Sequence, residues 1–237
     1  MSGKPCAFKL QGLRDHIEGV ARVAEAFIES SNLHRVAARR LGLDPQLVKS
    51  YMILSAKAHD LGKAMDYYQR QFDESCKAVS ERFNFMDHEV FSGAMLMKAK
   101  EEVLKAYGDC ELCFGAAVVA VLLHHHAMRV HDPTAITGSK RDEFLAKAGK
   151  VIKDGLDERL GFVIPEEVTP RDLDRLAFNL VKLYGQTSRS SRAYLYFLTP
   201  LVIADYADGA KRVESEKRTF SLIVLDILKE WGVKVEG

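Results

Sequence analysis

Five places in this chain put imidazole or carboxylate where the surrounding pattern asks for hydrocarbon. His16 lies on an amphipathic stretch. His59-Asp60 closes a second one, in Ala58-His59-Asp60-Leu61-Gly62-Lys63, and His88 opens a third, in Asp87-His88-Glu89-Val90-Phe91-Ser92-Gly93. His124-His125-His126 ends the apolar run from Val118 to Leu123, and Asp205 interrupts the apolar segment from Leu195 to Ala207. An uncompensated imidazole or charge in such a place costs on the order of several kcal/mol. Taken singly, each has an ordinary explanation: a histidine hydrogen-bonded in the core, or an aspartate that caps a helix or pairs with arginine. Taken together, that account needs five independent intrusions, whereas a metal centre needs one cause. Nitrogen and oxygen donors combined suit Mn, Fe, Co, Ni or Zn rather than an all-oxygen Ca or Mg cage.

Adjacent His and Asp add a further possibility. Neighbouring helical residues point ~100° apart, so His59 can serve one ion while the Asp60 carboxylate bridges to a second. Two ions ~3.5–4 Å apart bind a phosphodiester, generate hydroxide and stabilise the leaving oxygen. Lys63, three and four residues on, falls on the same helical face and is placed to offset charge on a phosphorane; its alternative is a solvated surface lysine. Competing motifs fail. His88-Glu89-Val90-Phe91-Ser92 lacks the second histidine of a zincin helix, Cys110 follows Asp109 rather than the proline of a zinc deaminase, and neither Gly62-Lys63 nor Gly149-Lys150 continues into Ser or Thr as a P-loop does.

The elements that must carry these residues read as helices. Leu13, Ile17, Val20, Ala24 and Phe27 recur at helical spacing, and Asp44-Pro45 reads as N-cap and first position of a helix turning Leu47, Tyr51 and Leu54 or Ser55 inward. Further helices are expected through 87–106, 111–126, 140–154, 170–184, 192–212 and 217–232, the last with Val224, Leu228 and Trp231 on one face. Gly161 to Val168 reads as a short extended arm. Irregular stretches are expected at 71–86, 127–139 and 155–169; the first two flank candidate ligands and are candidate lids. The expected class is all-α, without repeats or interdomain linkers.

Composition narrows the field. The chain has 237 residues, 47% hydrophobic and 28% charged, enough for a core of its own. A net charge of +1 creates no global field for nucleic acid or membrane, so a polyanion must be held by metal or a local patch. Candidates are Arg35, Arg39 and Arg40, the Lys140-Arg141 to Lys153 segment, and Arg189 with Arg192; Tyr67 and Tyr68 are candidates to stack an unpaired base or to pack in the core. The apolar stretch from Leu112 to Leu123 is too short to span a bilayer, which needs ~20 residues, and is expected as a buried core helix. No secretion signal opens the chain, so a cytoplasmic protein is expected. Cys6, Cys76, Cys110 and Cys113 are too few and scattered for a disulfide scaffold, and Cys110-Glu111-Leu112-Cys113 reads as two packed thiols.

The order His16, His59-Asp60-Leu61-Gly62-Lys63, His88-Glu89-x-x-Ser92, His124-His125 and Ala204-Asp205 resembles the HD superfamily of metal-dependent phosphohydrolases. Tyr68-Gln69 and Phe72 after the His-Asp-Leu-Gly-Lys-Ala run narrow the resemblance to the stand-alone HD nuclease of type I CRISPR interference. The resemblance spans residues 16 to about 212 and implies a single HD nuclease domain over 1–237, a helical bundle with the metal site at its centre. It implies one ion on His16, His59, Asp60 and Asp205, and a second on Asp60, His88, His124 and His125. His126 stays open as a replacement in the three-histidine run, and Asp208 as a rival to Asp205. The implied cofactor is two divalent transition ions (Mn, Ni, Co or Fe, with Mg as the alternative). The implied activity is endonuclease and exonuclease cleavage of single-stranded DNA, with RNA and R-loop strands as alternatives. The implied partners are a separate helicase subunit and a CRISPR surveillance complex, and no membrane. Two other readings compete: an HD phosphohydrolase of small or cyclic nucleotides, and a helical adaptor stapled by structural metal. Structural sites close at four ligands, and this chain offers more.

Overall fold

A computed structural model of the chain describes residues 4–125, 136, 138, 140–184, 192–210 and 219–233. Two short strands, β1 (Cys6–Phe8) and β2 (Gln11–Gly12), pair antiparallel and feed directly into α1 (Leu13–Ser31). There follow α2 (Leu33–Leu41), α3 (Pro45–Ala58), a 3-10 turn (Leu61–Ala64), α4 (Asp66–Gln69), α5 (His88–Lys98), α6 (Lys100–Tyr107) and α7 (Glu111–Leu123). The remainder comprises α8 (Arg141–Lys147), β3 (Gly149–Lys150), α9 (Leu156–Leu160), β4 (Glu167–Val168), α10 (Pro170–Tyr184), α11 (Tyr194–Ala210) and α12 (Thr219–Glu230). The all-α expectation holds, with two two-stranded ribbons as its only sheet among the described residues.

Local chemistry accounts for the main elements. Asp44 caps α3 by accepting from the backbone N–H groups of Gln46 and Leu47, both at 2.9 Å, with Pro45 at the first helical position. On α1 the expected apolar positions Leu13, Ile17, Val20, Ala24 and Phe27 are all buried. Helix α7 is buried from Cys113 to Leu122, as a helix apolar on every side must be. Helices α1, α3, α7 and α11 pack on one another, and α5 closes the group against α7 and the 3-10 turn. No single described helix is long and apolar enough to cross a membrane.

Several boundaries differ from the sequence reading. The expected helix 87–106 breaks at Ala99 into α5 and α6. The expected helix 140–154 stops at Lys147, because Gly149-Lys150 pairs with Glu167–Val168 as a ribbon instead. That partner is part of the extended arm expected at 161–168, while α9 occupies the start of the stretch read as irregular. On the face expected for the last helix, Val224 and Leu228 are buried, whereas Trp231 lies beyond the helix, half exposed, with its ring 5.8 Å from that of Phe27. The candidate lid at 127–139 falls almost wholly outside the described residues, as do His126 and Arg189.

The cysteines require the plainest correction. Cys6 is disulfide-bonded to Cys76, and Cys110 to Cys113. Separated by 70 residues, Cys6 and Cys76 gave no local signal; β1 folding back on the 71–86 stretch brings their Cα atoms to 5.5 Å. Cys110 and Cys113 meet because Cys110 caps α7, its sulfur accepting from the Cys113 N–H.

Candidate metal centre

The seven candidate ligands arrive on five elements. His16 projects from the first turns of α1, and His59 and Asp60 follow the last turn of α3. His88 is the first residue of α5, His124 and His125 follow α7, and Asp205 lies within α11. A helix end leaves backbone carbonyls without intrahelical partners. At the ends of α3 and α7 the histidine itself meets that need: His59 Nδ1 lies 2.8 Å from the Ala56 carbonyl, and His124 Nδ1 lies 2.6 Å from the Val121 carbonyl. His88 Nδ1 reaches the Phe85 carbonyl at 2.6 Å. A carbonyl only accepts, so in all three rings Nδ1 carries a hydrogen, which leaves Nε2 as the nitrogen available to a metal once deprotonated. His16 obeys the same logic with a carboxylate, its Nδ1 lying 2.8 Å from Asp208 Oδ2. Such outer partners fix ring orientation and raise ligand basicity at metal sites.

The Nε2 atoms converge on Asp60, which is buried. Its Oδ2 lies 2.9 Å from His16 Nε2 and 3.4 Å from His59 Nε2; its Oδ1 lies 2.7 Å from His88 Nε2 and 3.6 Å from His124 Nε2. Asp205 Oδ1 stands 3.6 Å from both His16 Nε2 and His59 Nε2. Two donor groups result, one of His16, His59 and Asp205, the other of Asp60, His88, His124 and His125, each with its donor atoms within 4.8 Å of one another. The two oxygens of Asp60 face one group each. The pair expected from the sequence, Asp60 between two donor sets, is thus brought together, and His125 completes the second set half-buried. Asp208, a rival to Asp205 on sequence, instead backs His16 from behind.

The donor set fits a divalent metal. Both oxygens of Asp60 and the Nε2 atoms of His88 and His124 are buried and form no hydrogen bond of good geometry with one another, although Oδ2 is ion-paired with Lys63 Nζ at 2.6 Å. Orphaned polar atoms at this depth are costly unless a cation meets their lone pairs. His16 Nε2 and His59 Nε2 face each other at 3.2 Å, close to the about 3 Å that separates two nitrogens on one ion at ~2.1 Å. Electrostatics agree. Burial works against charge on His59, but Asp60 and Asp205 outweigh it and raise its pKa to about 10. Burial likewise raises Asp60, yet His59, Lys63 and His88 together hold its carboxyl well below the usual range. Burial first, then His124 and His88, lower His125 to about 2, leaving it a neutral donor. Carboxylates here draw positive charge inward, and the imidazoles offer lone pairs to it.

A buried lock sets the separation of the two groups. The Gly62 N–H donates to Ser92 Oγ at 2.8 Å, and that hydroxyl donates to the His88 carbonyl at 3.1 Å. A Cβ on Gly62 would lie 1.9 Å from the His88 oxygen, so only glycine lets the turn carrying Asp60 seat on the first turn of α5. Gly19 plays a similar part on α1, where a Cβ would stand 2.6 Å from Asp208 Oδ1.

The model of the family described as Cas3, HD domain matches residues 5–205. This chain belongs to the Cas3 HD domain family. A Saccharolobus solfataricus protein named CRISPR-associated endonuclease Cas3-HD is 31% identical over 218 residues, covering 87% of this chain and 89% of the relative. A Methanocaldococcus jannaschii protein of the same name is 26% identical over 240 residues, covering 92% and 93%. The solved CRISPR-associated Cas3 HD domain protein of Methanocaldococcus jannaschii superposes with a TM-score of 0.58 at 23% identity, over 84% of this chain and 98% of that one; it supports the fold. The HD-nuclease resemblance therefore stands at the level of family.

Other sequence candidates in this Cas3 HD chain divide sharply. Lys63 is not a solvated lysine: it is 3% exposed, with Nζ 2.6 Å from Asp60 Oδ2. Tyr68 is core, its hydroxyl donating to the Met86 carbonyl, whereas Tyr67 is exposed. Arg141 pairs with Asp174, and Lys147 with buried Asp87, so these two candidate phosphate contacts serve packing. Arg35, Arg39, Arg40 and Arg192 are exposed. Sequence reasoning missed Phe8 and Phe85, whose rings flank the Lys63 ammonium. It quoted Ser92 only as part of a motif.

Proposed function

We propose that this Cas3 HD protein is a two-metal nuclease that hydrolyses phosphodiester bonds of single-stranded DNA, internally and from ends, in CRISPR interference. The carrying observation is that the two oxygens of Asp60 face separate His-rich groups. In this reading His16, His59, Asp60 and Asp205 hold one divalent transition ion, and Asp60, His88, His124 and His125 hold the other. When bound, such ions supply hydroxide at neutral pH and offset charge on the attacking and leaving oxygens. The chain's residues do the rest. Backbone carbonyls and Asp208 hold the imidazole rings by Nδ1, so Nε2 needs no reorientation. Burial of Asp60, His16, His59, His88 and His124 keeps bulk water from most of the site. Lys63 brings a fixed ammonium beside Asp60, in reach of negative charge developing on the phosphoryl oxygens. His125 and Asp205, the more accessible donors, mark the side from which a strand enters.

Partners follow from the family. We take the relatives' CRISPR names as support for work beside a surveillance complex, with a separate helicase supplying single strands. A single domain in the cytoplasm completes the reading. The test is cleavage of circular single-stranded DNA with and without manganese, for wild type and Asp60→Ala, beside a panel of mononucleotides. Manganese-dependent cutting of the circle, lost in Asp60→Ala, is expected. An intact circle with phosphate released from mononucleotides would overturn the DNase reading in favour of a small-nucleotide phosphohydrolase.

A further inference from the structure

Lys63 presents a physical problem that the metal centre does not solve. Its ammonium is buried beside Asp60, and cations on both Asp60 oxygens would repel it and remove its counter-charge. An unassisted lysine would swing out. The structure gives this ammonium a second seat: Nζ lies 3.9 Å from the centroid of the Phe8 ring and 5.0 Å from that of Phe85. Aromatic faces attract a cation without presenting a carboxylate that competes for metal.

Phe8 belongs to β1, far from Lys63 in sequence, and three contacts hold that strand in register with the turn. The Gln69 side chain accepts from the Cys6 N–H at 2.8 Å and donates to the Cys6 carbonyl at 3.0 Å, and it also donates to the carbonyl of Lys63 itself. One amide thus sets the strand against the residue whose ammonium Phe8 covers. The Cys6–Cys76 disulfide ties the same strand to the 71–86 stretch, and the Leu13 N–H donates to the Pro5 carbonyl at 2.7 Å where α1 begins. Phe8 also meets the His16 ring edge-on, with centroids 5.6 Å apart.

We propose that Phe8 is a positioning residue: the N-terminal strand, registered by Gln69, holds the Lys63 ammonium at the reaction centre through the face of the Phe8 ring. This rests on the nuclease reading for its catalytic consequence but not for its geometry. The Gln69 contacts further imply that the ring and the lysine move together.

The test uses the full chain in five forms: wild type, Phe8→Leu, Phe8→Tyr, Lys63→Gln and the Phe8→Leu/Lys63→Gln double variant, each checked by thermal unfolding. Single-turnover cleavage with manganese should fall about tenfold in Phe8→Leu and stay within about twofold in Phe8→Tyr, which keeps the ring face. Phe8→Leu should add nothing in the Lys63→Gln background, because Phe8 acts through that ammonium. A second readout is independent of activity. With lysines labelled at Cε, the Lys63 methylene signal should be shifted upfield by the rings in wild type and Phe8→Tyr, metal-free or loaded with diamagnetic zinc in place of manganese, and should return toward the free-lysine position in Phe8→Leu. Losses that multiply in the double variant, or an unshifted Lys63 signal in the zinc-loaded wild type, overturn the proposal. A wild type that cuts no DNA would sink the nuclease reading, while the Lys63 signal would still pass or fail the placement.

Discussion

The two halves of the candidate centre share Asp60 yet are built differently. The half formed by His16, His59 and Asp205 is rich in carboxylate. Asp60 Oδ2 and Asp205 Oδ1 face its imidazoles, and Asp208 backs His16 from outside. Its ligands come from α1, α3 and α11, which pack on one another in the core. The half formed by His88, His124 and His125 has three imidazoles facing a single carboxylate oxygen, Asp60 Oδ1, with buried Glu89 Oε2 3.3 Å from His88 Nδ1 on the outside. One of those imidazoles, His125, is only half-buried. Anionic oxygen on rigid helices makes a tight, permanent seat for a dication; neutral nitrogen near a more open edge makes a seat that exchanges. On the proposed two-ion reading, the first half would hold its ion more tightly and the second would exchange its ion more readily.

The largest expected effect removes the comparison altogether. Asp60→Ala takes an oxygen from both halves and should lower cleavage by at least about a thousandfold, with manganese binding lost from both in a metal titration. Next come single-half variants. His59→Ala should abolish the tighter of two manganese-binding events, while His124→Ala should abolish only the weaker, each lowering cleavage by more than about a hundredfold. Graded chelation of the wild type should empty the His88 half first. Halves that empty together, or in the opposite order, would show that the carboxylate count does not decide affinity.

The lock between the halves gives a third test. Gly62→Ala should destabilise the fold by about 3 kcal/mol or more, because its methyl group collides with the His88 carbonyl. Denaturant unfolding measures this, and a loss below about 1 kcal/mol would show that the turn and α5 can part without harm. The smallest effect sharpens the contrast from outside. Asp208→Asn keeps the contact to His16 but removes the charge behind it, and should weaken the tighter binding event about tenfold while leaving the weaker one unchanged.

Much of the candidate site was legible because its ligands violate local hydrophobic pattern. An imidazole at the end of an apolar helix or an aspartate within one stands out whatever the fold around it. His16, His59, Asp60, His88, His124, His125 and Asp205 could all be singled out on that ground. The long helices were legible for the same reason, since burying one stripe of a helix writes a 3.6-residue period into the chain. Of the short ribbons only β4 left a trace, in the extended arm expected at 161–168, because strands of two or three residues are too brief to show alternation. The disulfide between Cys6 and Cys76 was illegible because its partners meet only through the return of β1.

Sequence alone therefore singled out the candidate ligands, their place on or at the ends of helices, and the family to which the order of motifs belongs. Tertiary structure alone decided how they are shared out. It divided the oxygens of Asp60 between two groups, and it separated Asp205 among the facing donors from Asp208 behind His16. It also decided between the two readings of Lys63, making it a buried ammonium under Phe8 rather than a solvated surface lysine. The physical reason is range. Burying a helix face is a local requirement repeated every turn, so it is written in spacing. The distance between two carboxylate oxygens and five imidazoles is set by how α1, α3, α5, α7 and α11 pack, and no short stretch of chain carries that information.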